Sequence, residues 1–172
     1  MPENARGEPL EIERKFLIRR PPEELLRSES LRCIRIRQTY LLPGPQGENR
    51  RVRCSRFEGQ EHWYYTEKLR LDDLTRIERE REITPCEAQE LLREADGKRQ
   101  SIEKTRWCVP YGGHTLEIDL FPFWENQAFC EVEMGTAEEE TPLPPWMELI
   151  REVTADRNYT NSALALNIPP ED

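Results

Sequence analysis

The stretch Glu11-Ile12-Glu13-Arg14-Lys15-Phe16-Leu17-Ile18 decides the fold class of this 172-residue chain. Side chains alternate between the two faces of a β-strand, so a strand here has an ionic face and an apolar face. The ionic face carries Glu11, Glu13 and Lys15, and the apolar face carries Ile12, Phe16 and Ile18. A solvated edge strand would explain a single occurrence of this pattern, but the pattern recurs along the chain.

Further strands are predicted wherever charged residues alternate with β-forming residues. These segments are 33–42, 62–69, 76–83, 102–109, 115–121 and 128–134, and one further strand starts at 51–54. As a helix, the highly charged segment 76–83 would have too few apolar positions to dock on a core. Strands therefore dominate, and the predicted architecture is one domain, residues 1–172, with an antiparallel sheet or barrel and a few helices.

One helix has a clear start in the sequence. Thr84 is a predicted N-cap, a proline follows at the first helical position, and Glu87 completes a capping box. Gly97 is the predicted stop of this helix. The other predicted helical segments are 23–27, one turn at 146–150, and a short helix capped by Asn161.

Composition limits the classes of partner. The net charge of −9 argues against a sequence-independent grip on nucleic acid, which requires a basic face. No apolar run has the length of a membrane span or the form of a signal peptide, so we expect no membrane partner.

His62 lacks a partner at metal-ligand spacing and is predicted to be a surface or turn histidine. No cysteine has a metal-binding spacing, which predicts reduced thiols and a cytoplasmic protein; these are Cys33, Cys54, Cys86, Cys108 and Cys130.

If the strands close into a barrel, the ionic faces meet in its lumen. The acidic set is Glu11, Glu13, Glu78, Glu80, Glu82, Glu117, Asp119, Glu131 and Glu133. The basic set is Lys15, Arg51, Arg53, Lys68, Arg76, Lys104 and Arg106. Burying these charges is costly unless they pair with each other or with a ligand. Such a lumen suits a small polyanionic substrate that arrives with a divalent metal, because basic side chains bind phosphates and carboxylates bind Mg²⁺ or Mn²⁺.

The same residues resemble a known family. Residues 11–15 match the ExExK signature of the CYTH superfamily, the triphosphate tunnel metalloenzymes. The later segments are similar to that family in the right order, namely Arg51-Val52-Arg53, Thr66-Glu67-Lys68, Arg76-Ile77-Glu78-Arg79-Glu80, Lys104-Thr105-Arg106, Glu117-Ile118-Asp119, Glu131-Val132-Glu133 and Glu152-Val153-Thr154. Departures are Glu67 at a usually apolar position, Thr39 in place of a glycine, and the lack of a glycine within 146–151.

The resemblance implies a closed eight-stranded antiparallel tunnel that cleaves triphosphates with Mg²⁺ or Mn²⁺. The implied metal ligands are Glu11, Glu13, Glu78, Glu80, Asp119, Glu131 and Glu133. The implied phosphate-binding residues are Lys15, Arg51, Arg53, Lys68, Arg76, Lys104 and Arg106. Glu11, Glu13 and Lys104 are the implied catalytic residues.

Hydrolysis of inorganic triphosphate is the leading functional hypothesis. An adenylate cyclase of the same superfamily, which makes cyclic AMP from ATP, is the second enzyme hypothesis, although no short motif indicates an adenine pocket. A third hypothesis is a non-catalytic binder of triphosphate or polyphosphate, and a fourth is a barrel whose charges all face water. The sequence leaves the oligomeric state open, a homodimer included.

Overall fold

The computed structural model describes residues 2–172, so Met1 of the predicted domain lies outside the described residues. The strands are β1 (Leu10–Arg19), β2 (Arg32–Tyr40), β3 (Asn49–Phe57), β4 (Gln60–Arg70), β5 (Thr75–Ile83), β6 (Ile102–Tyr111), β7 (His114–Leu120), β8 (Gln127–Met134) and β9 (Leu149–Glu152). The helices are α1 (Glu23–Glu29), α2 (Pro85–Leu92) and α3 (Asn161–Leu164), with a 3₁₀ turn at Arg157–Tyr159. No helix within 2–172 has both the length and the apolar character needed to cross a membrane.

Eight antiparallel strands close into a barrel. Their order around the barrel is β1, β8, β7, β6, β2, β3, β4 and β5, and β5 returns to β1. The closing contact is short, since only Leu10, Glu11 and Ile12 pair with β5. Further along the same edge, β1 pairs with β9 instead. The predicted eight-stranded barrel is confirmed, with β9 as an additional strand.

Three predicted helix features are wrong. The cap of α3 is Thr160 and not Asn161, because the Thr160 hydroxyl accepts a hydrogen bond from Ala163 N. The other two differ for reasons that lie in tertiary pairing. The turn predicted at 146–150 gives way to β9, because residues Leu149–Glu152 find hydrogen-bonding partners on the free edge of β1. The capping box at Thr84 is present, but α2 ends at Leu92, well before Gly97. The chain leaves the helix there because the carbonyl of Glu94 accepts a hydrogen bond from the backbone of the segment that follows β2.

The apolar strand faces point outward and are covered by helices. One cluster lies on β1, β6, β7 and β8, and α1 packs on it through the fully buried Leu26. A second cluster lies on β3, β4 and β5, and α2 packs on it through Ala88. This arrangement leaves the opposite, ionic faces of the strands for the barrel interior.

The interior changes from charged to aromatic along its length. On β1 the inward row Glu11, Glu13 and Lys15 continues to the buried Leu17, and on β8 the row that includes Glu131 continues to Phe129. A cluster of four aromatic residues fills this part of the interior, and we call it the aromatic floor: Phe121, Trp124, Phe129 and Tyr159. Three of its ring pairs meet edge-on at 5.2–5.5 Å between centroids. The charged cavity is therefore bounded by a packed apolar layer.

Candidate active site

The barrel encloses a cavity of about 590 Å³ that is lined mainly by charged side chains. Ten basic and eight acidic residues line it, although the chain as a whole is acidic. All but one of the site residues predicted from the sequence are brought together here: Glu11, Glu13, Lys15, Arg51, Arg53, Lys68, Arg76, Glu78, Glu80, Lys104, Arg106, Glu131 and Glu133. Asp119 is the exception, because it is fully buried and does not line the cavity.

Glu11 is held by two cations from strands β4 and β5. Its carboxylate lies 3.0 Å from Lys68 Nζ and 3.0 Å from Arg76 Nη1, and Arg76 also lies 3.6 Å from Glu13. Burial opposes ionisation of Glu11, but Lys68, a hydrogen bond from Glu78 and Arg76 together lower its pKa. Glu11 is therefore ionised at neutral pH and already has cationic partners.

Glu13 and Glu78 behave in the opposite way. Burial, followed by the nearby carboxylates of Glu131 and Glu11, raises the pKa of Glu13 to about 8. Burial and the hydrogen bond to Glu11 raise the pKa of Glu78 to about 8. Both carboxyl groups hold a proton at neutral pH, so this part of the cavity has carboxylates crowded together without enough positive charge.

The β6–β8 wall, formed by Lys104, Arg106, Glu117, Asp119 and Glu131, is a closed set of ion pairs. Asp119 accepts hydrogen bonds from Lys104 Nζ at 2.7 Å and from Arg106 at 2.7 and 2.9 Å. Arg106 also contacts Glu117 at 2.6 Å and Glu131 at 3.4 Å. Burial opposes ionisation of Asp119, but Arg106 and Lys104 lower its pKa. Asp119 thus lies behind the two cations and orients them toward the cavity.

The β3 wall, formed by Arg51 and Arg53, has no such partners. Neither guanidinium forms an ion pair within residues 2–172, and the buried Nε atom of each lacks a hydrogen-bond acceptor. Burial, with the positive charges of Arg51 and Arg106, lowers the pKa of Arg53 to about 10. Burial disfavours the charged form of Arg51, but the nearby Tyr40, Glu78, Glu80 and Glu11 raise its pKa. Because neither arginine forms a direct ion pair, both have donors left for an anion that is supplied from outside the protein.

Lys15 joins the cavity to the C-terminal part of the chain. Its Nζ lies 3.2 Å from Glu131, donates a hydrogen bond to the carbonyl of Tyr159 at 3.1 Å, and lies 4.5 Å from the centroid of Phe129. Lys104 is more deeply buried, and burial lowers its pKa to about 8 even though Asp119 opposes this shift. Its ammonium group can therefore lose or regain a proton close to neutral pH.

The chemistry of the carboxylates fits a hard divalent cation. Within the described residues no three acidic, histidine or cysteine side chains already surround one metal position. However, the crowding of Glu11 and Glu131 around Glu13 is the kind of repulsion that a cation relieves, and among residues 2–172 Glu131 Oε1 has only Lys15 Nζ, at 3.2 Å, as its ion-pair partner. The donor set, all carboxylate oxygens, is the one preferred by Mg²⁺ and Mn²⁺.

Of the residues that sequence reasoning placed in the lumen, Glu82 and Asp119 do not line the cavity, and other lining residues were missed. Glu82 is exposed and does not line the cavity. It contacts His62, the histidine predicted to lie at the surface, at 2.7 Å. Glu117 lines the cavity, as its alternation with Asp119 predicts, although the family resemblance did not assign it a role. Arg99 and Arg157 also line the cavity. Both come from segments outside the strands, where no two-residue alternation indicates direction.

Comparisons with known proteins agree with this architecture. The family model described as the CYTH domain matches residues 9–155. Two relatives named inorganic triphosphatase, from Nitrosomonas europaea and Acetivibrio thermocellus, are each 33% identical to this chain. The first comparison covers 92% of this chain and 99% of the relative, and the second covers 91% and 94%.

Solved structures give the same assignment. A crystal structure of the inorganic triphosphatase NE1496 is 30% identical, has a TM-score of 0.55, and is matched over 93% of this chain and 97% of that one. The PH1819 protein from Pyrococcus horikoshii has a TM-score of 0.58 at 22% identity, over 73% of this chain and 79% of that one, and supports the fold alone. With the family model matching most of its length, this chain belongs to the CYTH family, the triphosphate tunnel metalloenzymes.

Proposed function

We propose that this protein is a metal-dependent hydrolase that cleaves inorganic triphosphate with water to give diphosphate and phosphate. The observation that carries the proposal is the pair of arginines of the β3 wall, Arg51 buried and Arg53 partly buried, which form no direct ion pair within residues 2–172 and face a cavity rich in carboxylates. Relatives that align over nearly their whole length are named inorganic triphosphatases, which supports the same assignment.

The basic residues divide the work of binding the substrate. Arg51 and Arg53 are the first contacts, since an incoming phosphate completes their hydrogen bonding and displaces no protein group. Lys15, Lys68 and Arg76 complete the clamp after partial release from their carboxylate partners. Asp119 is a positioning residue in this proposal, because it fixes Lys104 and Arg106 and has no surface on the cavity.

We propose Mg²⁺ or Mn²⁺ as the metal, held by carboxylates among Glu11, Glu13, Glu78, Glu80, Glu131 and Glu133. A bound divalent cation would neutralise phosphate charge and make the attacking water more acidic. Metal binding at Glu13 and Glu78 requires loss of their protons, because ligating carboxylates are ionised.

The reaction breaks one phosphoanhydride bond. The oxygen of the attacking water forms the new bond to a terminal phosphorus, and the bridging oxygen leaves with the diphosphate. Negative charge grows on the bridging oxygen, and the cationic side chains stabilise it there. Lys104, with a pKa of about 8, can hold or release a proton at Nζ during this step, and Glu11 and Glu13 are the carboxylates proposed to act beside it.

The cyclase hypothesis has no observation in its favour. Among the described residues that line the cavity, only Tyr40 and Pro43 have apolar side chains, and adenine needs a larger apolar surface.

The binder hypothesis explains the β3 wall but gives no use for so many carboxylates beside the phosphates. We also propose that residues 1–172 work as one domain in the cytoplasm, in keeping with five free cysteines.

The test is phosphate release from inorganic triphosphate, ATP and pyrophosphate in parallel, each with Mg²⁺ and with Mn²⁺. We expect rapid metal-dependent turnover of triphosphate and much slower turnover of ATP. The R51Q variant should lose most turnover, while R93Q, which changes an exposed arginine at the end of α2, is the matched control. Cyclic AMP formed from ATP would refute the proposal in favour of a cyclase, and tight triphosphate binding without turnover under both metals would refute it in favour of a binder.

A further inference from the structure

Lys15 lies at a gap in the seam of the barrel. On one edge of β1 it pairs with Glu131 of β8, and its neighbours along β1 pair with β8 in the same way. On the other edge, β5 pairs with β1 only as far as Ile12, and β9 pairs with it from Phe16 onward. None of the described strands therefore pairs with Lys15 on this second edge, and its backbone groups there need other partners.

The segment that follows β9 supplies these partners. Val153 donates a backbone hydrogen bond to the carbonyl of Lys15 at 2.8 Å, and the Thr154 hydroxyl accepts one from the Lys15 N–H at 3.0 Å. Val153 is buried in the same apolar cluster as the aromatic floor, which fixes the position of the segment. A side-chain oxygen thus takes the place of the carbonyl that a neighbouring strand would offer. The sequence resemblance includes Thr154 but assigns it no role.

The other end of Lys15 is held by the same stretch of chain. Its Nζ donates to the carbonyl of Tyr159 at 3.1 Å, and the ring of Tyr159 is buried in the aromatic floor. The Tyr159 N–H in turn donates to the carbonyl of Asp156 at 3.1 Å. Glu131, at 3.2 Å from Nζ, is the acidic partner of Lys15. An ammonium group has three N–H donors, so Nζ can keep the Tyr159 carbonyl while it binds a phosphate oxygen.

These contacts matter because a lysine side chain is flexible. Its stem has several rotatable bonds, and fixing them when a ligand arrives opposes binding. Here the backbone of Lys15 and its Nζ both have partners before any ligand binds. Much of the entropy cost is therefore met during folding, which favours tighter binding.

We propose that Thr154 is a positioning residue that, together with the carbonyl of Tyr159, directs Lys15 Nζ toward a phosphate of the substrate. The inference rests on the proposed function, in which Lys15 binds phosphate. Thr154 does not line the cavity, so its effect on the substrate passes through Lys15. Loss of the hydroxyl leaves the Lys15 N–H without its acceptor at the gap in the seam and lets this part of β1 shift.

A double-mutant cycle on the full chain separates positioning from packing. Titration calorimetry with inorganic triphosphate on metal-free protein compares the natural chain, T154V, K15M and the double variant. We expect T154V to weaken binding by about fivefold to tenfold, and to have no further effect once K15M has removed the ammonium group. T154S keeps the hydroxyl and should restore most of the affinity. T141V is the matched control, because the Thr141 hydroxyl accepts from Arg14 at 2.7 Å and does not line the cavity.

Amide hydrogen exchange followed by NMR measures the contact without any ligand. T154V should speed exchange of the Lys15 N–H, while amides of β1 that pair with β8 stay protected. An equal loss of affinity from T154V with and without K15M would overturn the inference, and so would a T154V protein that binds triphosphate as tightly as the natural chain. If triphosphate binds but is never hydrolysed, the proposed function fails while the cycle still decides the role of Thr154.

Discussion

Each of the two walls of the cavity carries two basic residues, but within residues 2–172 only those of the β6–β8 wall have ion-pair partners. In the β6–β8 wall, Lys104 and Arg106 are fully occupied by Asp119 and its neighbours. In the β3 wall, Arg51 and Arg53 form no direct ion pair among the described residues, and the Nε atom of each lacks an acceptor. We call a wall saturated when its basic side chains already have ion-pair partners, and unsaturated when they do not. A saturated wall fixes the positions of its side chains when the protein folds, whereas the side chains of an unsaturated wall can still form ion pairs with a ligand. The comparison assigns stability to one wall and binding to the other.

The largest expected effect is on the saturated wall. Asp119→Asn keeps the shape of the side chain but removes the charge that compensates two buried cations, so we expect a loss of about 3–5 kcal/mol in the free energy of unfolding. Urea denaturation measures it. Glu152→Gln, which removes an exposed ion pair with Arg14, is the control and should cost less than about 1 kcal/mol. A similar small loss in both variants would contradict the role of Asp119.

The unsaturated wall should respond in the opposite sense. Arg53→Gln removes a partly buried cation whose charge desolvation and neighbouring cations already disfavour, so stability should equal or exceed that of the natural protein. The affinity for triphosphate should fall by about 30-fold to 100-fold, because a charge-assisted hydrogen bond contributes about 2–3 kcal/mol. Denaturation and calorimetry on the same sample separate the two effects. If Arg53→Gln destabilises the fold as much as Asp119→Asn does, the contrast between the walls disappears.

The carboxylates between the walls predict an unusual pH dependence. In metal-free protein Glu13 and Glu78 have a pKa of about 8, while the ordinary value is 4.5. Between these values the folded state binds more protons than the unfolded state, so stability falls as pH rises and levels off above about pH 8. The slope is at most about 1.4 kcal/mol per pH unit for each group.

Unfolding measurements in EDTA at pH 6, 7, 8 and 9 test this dependence. Glu13→Gln should reduce the slope, since the variant has no proton to lose at that position. Adding Mg²⁺ at pH 7 should release protons into weakly buffered solution. Stability that rises between pH 6 and 8 in metal-free protein would show that the two carboxyl groups are ionised there.

The barrel and most of its lining could be predicted from alternation alone. A row such as Glu11, Glu13 and Lys15 is set by the period of the strand, and the pairing of β1 with β8 brings Lys15 beside Glu131 whatever the surrounding loops do. Alternation gives the face of a residue but not its depth. Asp119 lies on the inward-pointing face of its strand, as the lining residues do, and yet it is buried behind the longer side chains of Lys104 and Arg106.

Features that depend on tertiary pairing or irregular backbone could not be predicted. The strand β9 exists because β1 has a free edge beyond its short contact with β5, and nothing in residues 149–152 indicates that edge. Arg157 lines the cavity because Tyr159 anchors its segment in the aromatic floor. Local sequence contains neither of these contacts.

The smallest expected effect comes from removing one ion-pair partner from the saturated β6–β8 wall. Glu117 lies at the edge of the β6–β8 wall, lines the cavity, and has a side chain that is 27% exposed and 2.6 Å from Arg106. Glu117→Gln leaves Arg106 paired with Asp119 but makes more of its charge available to a phosphate. We expect stability to change by less than about 1 kcal/mol and the affinity for triphosphate to rise about threefold.

Calorimetry on metal-free protein measures this change, with Glu152→Gln as the control for loss of a carboxylate outside the cavity. A fall in affinity would mean that Glu117 orients Arg106 toward the substrate and does not compete with it. Arg106 would then be a cation whose position matters more than its free charge, and the distinction between the walls would depend on orientation as well as on pairing.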